Sequence, residues 1–115
     1  MKYTWFILIF TLFIQLAHAQ EVTNLKIVKI RVIGSYPSPN LENTLELWFS
    51  TPIPWVSGSK CIDTRRVYVD AKQKHIVAAA YLAVASKKLV NIYAASNLPI
   101  RNGVCEIAYL DIISP

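Results

Sequence analysis

Residues 70–93 read DAKQKHIVAAAYLAVASKKLVNIY, and this stretch decides the fold. Within it, residues 75–86 carry no formal charge when His75 is neutral, and five of them are alanine. Alanine has the highest intrinsic helix propensity, and a segment of this length is long enough for about three turns. The stretch therefore predicts one short helix.

The ends of this helix carry recognisable signals. Asp70 is a predicted N-terminal cap, with Gln73 three residues later in the manner of a capping box. Lys87 and Lys88 follow the last apolar residue, where the helix dipole favours cations. Residues 89–95 (LVNIYAA) then return to strand character.

Short apolar alternations, separated by glycine, proline and asparagine, predict strands on both sides of the helix. The predicted strands cover residues 26–33, 43–50, 66–70, 89–95 and 104–113. The order is β-β-β-α-β-β, which is the order of the OB-fold, a small Greek-key barrel. An α+β sandwich built from the same elements is the alternative.

Strand periodicity assigns side chains to two faces, because successive residues of a strand point to opposite sides. The side chains predicted to face the core from the first two strands are Val28, Ile30, Val32, Leu45, Leu47 and Phe49. Those predicted to face outward are Lys29, Arg31, Thr44, Glu46 and Trp48. On the third strand, Val67 and Val69 are predicted to be buried and Tyr68 to be exposed.

The helix lacks the polar face that a helix resting on a single core normally shows. With one side against the barrel, Ala79, Leu82 and Ala85 point elsewhere, with no polar residue among them. Burial against a second copy of the chain explains this pattern, so these three residues are the predicted oligomer interface. Tolerated exposure of weakly apolar alanine is the alternative.

The first nineteen residues, MKYTWFILIFTLFIQLAHA, have the features of a secretory signal peptide. Lys2 precedes an apolar run over residues 5–16, and Ala-His-Ala at 17–19 gives the small-x-small cleavage pattern. An uncleaved N-terminal anchor is the alternative. We expect residues 20–115 to be a single OB-like domain, secreted or periplasmic, with no membrane span after cleavage because no second long apolar stretch follows.

The chain contains two cysteines, Cys61 and Cys105. Export would place them in an oxidising compartment, where one intramolecular disulfide is the expected outcome. Two free thiols or an intermolecular link are the alternatives. In the chain-entropy model, closing a loop of this size stabilises the fold by about 3–4 kcal/mol.

Charge argues against a nucleic-acid partner. Without Lys2 the chain has 11 basic and 7 acidic residues, a formal charge of +4. These charges are scattered, and the densest clusters are Arg65-Arg66 and Lys87-Lys88. Nucleic-acid-binding proteins usually show a basic stripe.

Catalytic and metal-binding patterns are not found in the sequence. His75 is the single histidine after residue 19, and no serine or cysteine arrangement supplies its partners. The spacing of histidine, cysteine and carboxylate residues does not match a metal site. We therefore expect no enzyme activity and no cofactor.

Aromatic and polar residues favour a binding function instead. An aromatic ring can pack on the apolar face of a pyranose, while hydroxyl, amide and cationic groups bind its hydroxyls or carboxylate. The candidate ligand-binding residues are Tyr36, Trp48, Trp55, Ser57, Ser59, Lys60, Arg65 and Tyr68. A core or interface position for Trp48 and Trp55 is the alternative, because a one-residue register error would move them to the other face.

A sequence resemblance extends this hypothesis. The alanine-rich helix runs directly into KKLVNIY at 87–93. Residues 61–93, about a third of the chain, resemble the B subunits of the subtilase-cytotoxin and typhoid-toxin type. The resemblance implies an OB-fold assembled into a ring of five, helices lining a central pore, glycan-binding sites on the side of the ring, and an enzymatic A subunit as partner. No sugar-contacting residue of that family is assigned to a position here.

Two functions follow from the sequence. The first is an exported, non-enzymatic subunit that binds a glycan or protein ligand as a homo-oligomer, with a pentamer as the form that the resemblance implies. The second is a monomeric inhibitor or immunity-type protein. It would present the loop from Pro52 to Ser59, stiffened by two prolines and close to Cys61, to the cleft of another protein.

Overall fold

The computed structural model describes residues 20–35, 41–95 and 97–114. The predicted signal peptide and the candidate ligand residue Tyr36 lie outside the described residues.

Eight strands and one helix make up the described part of the chain. They are β1 (Gln20–Leu25), β2 (Ile27–Ile33), β3 (Thr44–Phe49), β4 (Arg66–Asp70), α1 (Lys74–Ser86), β5 (Val90–Ala94), β6 (Ile100–Arg101), β7 (Val104–Cys105) and β8 (Ile107–Ile112).

The strands form three small antiparallel sheets, ordered β1-β5-β8, β2-β3-β4 and β6-β7. Only Lys26 separates β1 from β2, so one nearly continuous stretch contributes to both larger sheets. A parallel bridge between Tyr68 and Glu106 links β4 to the chain between β7 and β8. The predicted β-rich class with one helix is confirmed, and these neighbour relations are compatible with a small OB-like barrel.

Strand β1 was not predicted, because a β-bulge breaks its alternation. The pairing of β1 with β5 shifts register between Val22 and Leu25, both of which are buried. Asn24, between them, has a positive φ of 58°. An irregularity of this kind removes the period of two on which a sequence-based strand prediction depends.

The helix begins at Lys74, one residue before the predicted apolar segment, and the predicted cap is wrong. Gln73 occupies the N-cap position, and no side chain caps the helix there. Asp70 instead accepts a hydrogen bond from the Lys72 backbone amide at 2.9 Å, which places its carboxylate in a turn before the helix. At the other end, Lys87 adopts the left-handed conformation that closes many helices.

The main core lies between the two larger sheets and under the helix. Ala80 and Ala83 are buried, and the helix packs mainly against β8 and also against β2. Their small side chains allow the helix to approach the sheet closely. The other buried residues of this core include Leu45, Leu47, Val67, Val69, Val90 and Ile92.

The exposure of four residues on β2 and β3 differs from the prediction. Val28 and Val32 are 56% and 67% exposed, and of the three β2 residues expected inside only Ile30 packs against the core. A register shift between Ile27 and Lys29 displaces the alternation at Val28, whereas Val32 lies on the predicted side, opposite Leu45, but is exposed there. On β3, Glu46 is fully buried although it points away from the main core, because neighbouring side chains cover it. Thr44, also expected to face outward, is likewise buried.

The predicted disulfide is confirmed. Cys61 and Cys105 are bonded, with their Cα atoms 5.4 Å apart, and the chain has no free cysteine. A disulfide fits an oxidising compartment. Among the described residues, none of the helical segments is both long and apolar enough to pass through a bilayer.

Candidate ligand-binding face around Trp48

The register of β2, β3 and β4 gathers charged residues that are far apart in the sequence. Lys29 lies opposite Trp48, and Trp48 lies opposite Arg66. In the next row, Arg31 lies opposite Glu46. Directly opposed residues of an antiparallel pair project from the same side of the sheet. We call the outward surface formed by Lys29, Arg31, Glu46, Trp48, Arg65 and Arg66 the Trp48 face.

Four cations surround the Trp48 ring. The Lys29 Nζ lies 3.8 Å from the ring centroid. The guanidinium carbons lie 5.0 Å away for Arg66 and 5.3 Å away for both Arg31 and Arg65. Attraction between a cation and the ring contributes about 0.5–1 kcal/mol at an exposed site. The half-buried ring thus holds several positive groups close together.

Glu46 provides the counter-charge inside this face. Its carboxylate pairs with the Arg66 Nη1, lies 3.6 Å from the Arg31 Nη1, and accepts a hydrogen bond from the Trp48 Nε1 at 3.2 Å. A buried carboxylate needs such partners, because removal from water is costly for an unpaired charge. Arg66 therefore acts mainly as a structural counterion of Glu46.

Asp63 holds the arginines from the other side. Its Oδ1 accepts the Arg65 backbone amide at 2.8 Å, and its Oδ2 accepts the Arg66 Nε at 3.0 Å. Burial raises the pKa of Asp63, but the hydrogen bonds from Arg65 and Arg66 and the charges of both arginines outweigh it. The pKa of Asp63 consequently lies below its usual value.

The cations that remain accessible to a ligand are Lys29, Arg31 and Arg65. The Arg31 and Arg65 side chains are 52% and 67% exposed, whereas that of Arg66 is only 16% exposed. With four cations against the carboxylates of Glu46 and Asp63, the face has a positive excess. This surface suits a ligand that carries negative charge.

A groove of about 500 Å³ adjoins the face. Its walls combine the apolar residues Val32, Ile33 and Leu41 with the charged residues Arg31, Glu46 and Arg66. This size lies within the range of small-molecule sites. If β1 and β2 are counted as one strand, β3 and β4 are the second and third strands of the OB order, whose outward face commonly binds oligosaccharides and oligonucleotides.

The structure brings together two of the predicted ligand residues, Trp48 and Arg65. Trp55 packs against the main core, and its Nε1 donates to the Asp63 carbonyl at 2.8 Å. Ser57 and Lys60 are exposed on the loop between β3 and β4. In the same loop, the Ser59 Oγ accepts a hydrogen bond from the Cys61 backbone amide.

Tyr68 lies on the predicted side of β4, but the expectation that it is exposed is wrong. The residue is fully buried, and its hydroxyl donates to the Pro99 carbonyl at 2.6 Å. Leu41, Val104 and Ile33 pack around it in a second small core, on the side of the sheet away from the main one. The loop before β3 and the β6-β7 hairpin supply two of these neighbours.

Sequence reasoning missed Lys29, Arg31, Glu46 and Arg66 as members of the face. A signal was present, because the alternation already turned Lys29, Arg31, Glu46 and Trp48 outward. What was missing is the pairing register, which alone shows that these side chains are neighbours.

The outward side of the helix is apolar and accessible in the single chain. Tyr81 and Leu82 are 46% and 60% exposed, and Ala78 and Ala85 extend the same stripe at helical spacing. Of the predicted interface residues, Leu82 and Ala85 are therefore exposed, and Ala79 is half-buried.

Within residues 20–35, 41–95 and 97–114, no group of histidine, cysteine or carboxylate residues is placed to hold a metal ion. Comparison with protein-family models and with curated proteins finds no match to this chain.

Proposed function

We propose that this protein is an exported, non-enzymatic binding subunit that recognises glycans through the Trp48 face, with a preference for glycans that carry a carboxylate. The observation that carries the proposal is the convergence of four cations on one half-buried tryptophan beside a groove of about 500 Å³.

The ring and the cations have separate roles in this proposal. A pyranose stacks on the Trp48 ring in place of the Lys29 ammonium, which now lies over the ring. Lys29 is exposed on a flexible stem, so it can turn toward an acidic substituent of the sugar. Arg31 and Arg65 offer charge-assisted hydrogen bonds to the same group.

Association of copies through the helix is the second part of the proposal. The stripe of Ala78, Tyr81, Leu82 and Ala85 exposes apolar surface, and its alanines permit close approach of another helix. The resemblance to toxin B subunits adds the expectation of a ring with an enzymatic partner subunit. Several copies would present several glycan sites at once and strengthen attachment through multivalency.

A glycan array tests the recognition, using protein exported by its expression host, with its N-terminus determined by mass spectrometry. We expect signals on carboxylated glycans that Trp48→Ala abolishes. The matched control is Tyr109→Ala, which removes an exposed aromatic ring from β8. Absence of glycan binding by the wild-type protein, or equal binding by Trp48→Ala, would contradict the proposal.

The loop over residues 52–59 supports an alternative function as an inhibitor or immunity-type protein. The Gln20 side chain fastens the loop through hydrogen bonds with the Pro54 carbonyl and the Val56 amide, both of 2.9 Å. Val56 and the nearby Ile62 are 46% and 77% exposed. A monomeric protein that loses a captured partner on Val56→Glu but not on Trp48→Ala would favour this function over glycan binding.

A further inference from the structure

Asp63 connects the Trp48 face to the loop that carries Trp55, two parts of the molecule that strand pairing does not connect directly. Its carboxylate binds the Arg65 backbone amide and the Arg66 side chain, both of which border Trp48. A third contact uses only its backbone, since its carbonyl accepts the Trp55 indole. Asp63 thus fixes cations with its side chain and the loop with its main chain.

The segment that carries Asp63 is fastened to the β6-β7 turn. Cys61 is bonded to Cys105, and the amides of Ile62 and Asp63 both donate to the Gly103 carbonyl at 2.9 Å. Gly103 has a φ of +76°, and a Cβ there would lie 3.0 Å from the Ile62 Cβ. Only glycine permits both the turn and this close approach.

The main core does not include either cysteine. It is formed by the two larger sheets, the buried side of the helix and the loop residue Ile53, with Trp55 packed against it. The disulfide therefore lies outside the main core, while Ile53 and Trp55 join the loop to that core. Breaking the disulfide therefore does not require unfolding of the main core.

We propose that Asp63 is the positioning residue of the Trp48 face, and that the Cys61–Cys105 disulfide, by holding Asp63, makes the arrangement of this face dependent on redox state. In the oxidised protein, Arg65 and Arg66 are held beside Trp48. In the reduced protein, the sheets persist, but Asp63 leaves its place and the two arginines lose their common anchor. The significance for ligand binding rests on the proposed function, whereas the structural claim does not.

The reducing agent is a dithiol. Cys61 is partly exposed and Cys105 is buried, so the first dithiol sulfur attacks the Cys61 sulfur and Cys105 leaves as a thiolate. The second sulfur of the dithiol then displaces Cys61 and closes a cyclic disulfide. The protein gains two electrons and two protons and ends with two thiols, while the dithiol is oxidised.

NMR of the ¹⁵N-labelled, exported protein tests the role of Asp63 without any ligand. Trp48→Phe and Trp55→Phe variants assign the indole signals. In Asp63→Ala we expect shifts of the Trp48 indole and the Arg66 Nε–H signals. The Trp55 indole should stay in place, since it binds the backbone carbonyl, and a general structural effect would move all three.

The matched control is Asp111→Ala, which removes one exposed carboxylate from β8 in the other sheet. It should leave all three signals unchanged. Should Asp63→Ala fail to fold, Asp63→Asn takes its place, because the amide retains an acceptor for the Arg65 backbone and removes the charge that binds Arg66. Unmoved Trp48 and Arg66 signals in a folded Asp63 variant would overturn the positioning role.

Reduction with dithiothreitol tests the redox dependence, with mass spectrometry to confirm two free thiols. We expect the Trp48 and Arg66 signals to move as in Asp63→Ala, while the amides of Leu47 and Ile92 remain dispersed. Signals of the face that do not move in the reduced protein would overturn the proposal, and so would unfolding of the core on reduction. Glycan binding enters neither readout, so a failed array leaves this test unaffected.

Discussion

The Trp48 face and the outward side of α1 differ in charge and in how the chain builds them. The Trp48 face gathers Lys29, Arg31, Arg65 and Arg66 around one ring, and these residues come from separate segments. The outward side of α1 comes from one continuous segment and has no charged residue between His75 and Lys87. Strand register builds the first surface, and helical periodicity alone builds the second.

The difference explains what each surface can do. On the Trp48 face, Arg31, Arg65 and Arg66 lie beside the largely buried carboxylates of Glu46 and Asp63, so these three charges are positioned before a ligand arrives, while Lys29 can move. Apart from the Tyr81 hydroxyl, the helix stripe offers apolar area only, which suits association and gives little chemical selectivity. We therefore assign ligand recognition to the first surface and self-association to the second.

Removal of Glu46 is expected to give the largest effect on the Trp48 face. Glu46→Ala removes the fully buried partner of the Arg66 guanidinium and leaves it bonded to Asp63, which should cost about 3 kcal/mol of the free energy of unfolding. Urea denaturation followed by circular dichroism measures this loss. Glu42→Ala, in the exposed loop before β3, serves as control and should stay within about 0.5 kcal/mol of wild type. Equal stability of both variants would contradict a stabilising role for the buried ion pair.

The helix offers a matched pair of substitutions at adjacent positions. Ala83→Glu buries an unpaired charge and should cost more than about 3 kcal/mol. Leu82→Glu changes a residue that is 60% exposed and should alter stability by about 0.5 kcal/mol or less. Light scattering after size exclusion should show that Leu82→Glu lowers the particle mass to that of one chain. A wild-type protein that is already monomeric would contradict the assignment of this stripe to self-association.

Single charges of the Trp48 face are expected to have smaller effects on binding. Arg31→Gln and Arg65→Gln each remove a charge-assisted hydrogen bond and should weaken affinity for a carboxylated glycan by about tenfold. Lys74→Gln, with the same charge change at the start of α1, is the control for general electrostatic attraction. Calorimetric titration compares the three. A loss for Lys74→Gln as large as for the arginine variants would mean that overall charge, and not the face, governs binding.

Asp63 and Glu106 should make the free energy of unfolding change with pH in opposite directions. The pKa of Asp63 is lowered in the folded protein. Its ionised carboxylate therefore adds to the free energy of unfolding above the unfolded pKa of 3.8, and this stabilisation is lost as pH falls through the folded pKa. Burial raises the pKa of Glu106, helped by Asp70 and opposed by the Tyr68 hydroxyl and Arg101. The protonated Glu106 therefore adds to the free energy of unfolding below the unfolded pKa of 4.5, and this stabilisation is lost as pH rises through the folded pKa.

Urea denaturation between pH 3 and 7 tests this contrast. Asp63→Asn should destabilise the protein more at pH 7 than at pH 3. Glu106→Gln should lower the free energy of unfolding least, or raise it, at the neutral end of the pH range. The same pH trend in both variants would contradict the opposite shifts.

The helix and the general strand order were predictable from sequence, because each depends on local composition and period. The bulges were not. Asn24 in β1 and the register shift after Ile27 interrupt the alternation, so β1 was missed and Val28 was assigned to the wrong face. Propensity and periodicity do not locate a bulge, since the sheet decides where an extra residue fits.

The candidate site was only partly predictable for a related reason. Trp48 and Arg65 were identified from their residue types, and the disulfide from the cysteine count. The burial of Tyr68 follows from a loop and a hairpin that pack over it, which no local pattern indicates.

An NMR titration with 3′-sialyllactose, and with lactose as the uncharged control, tests the central claim most directly. We expect the carboxylated sugar to shift the Trp48 indole and the Arg31 and Arg65 side-chain signals and to leave Leu82 unchanged, whereas lactose should have a much weaker effect. Shifts confined to the helix or to the loop at 52–59, or equal responses to both sugars, would contradict it.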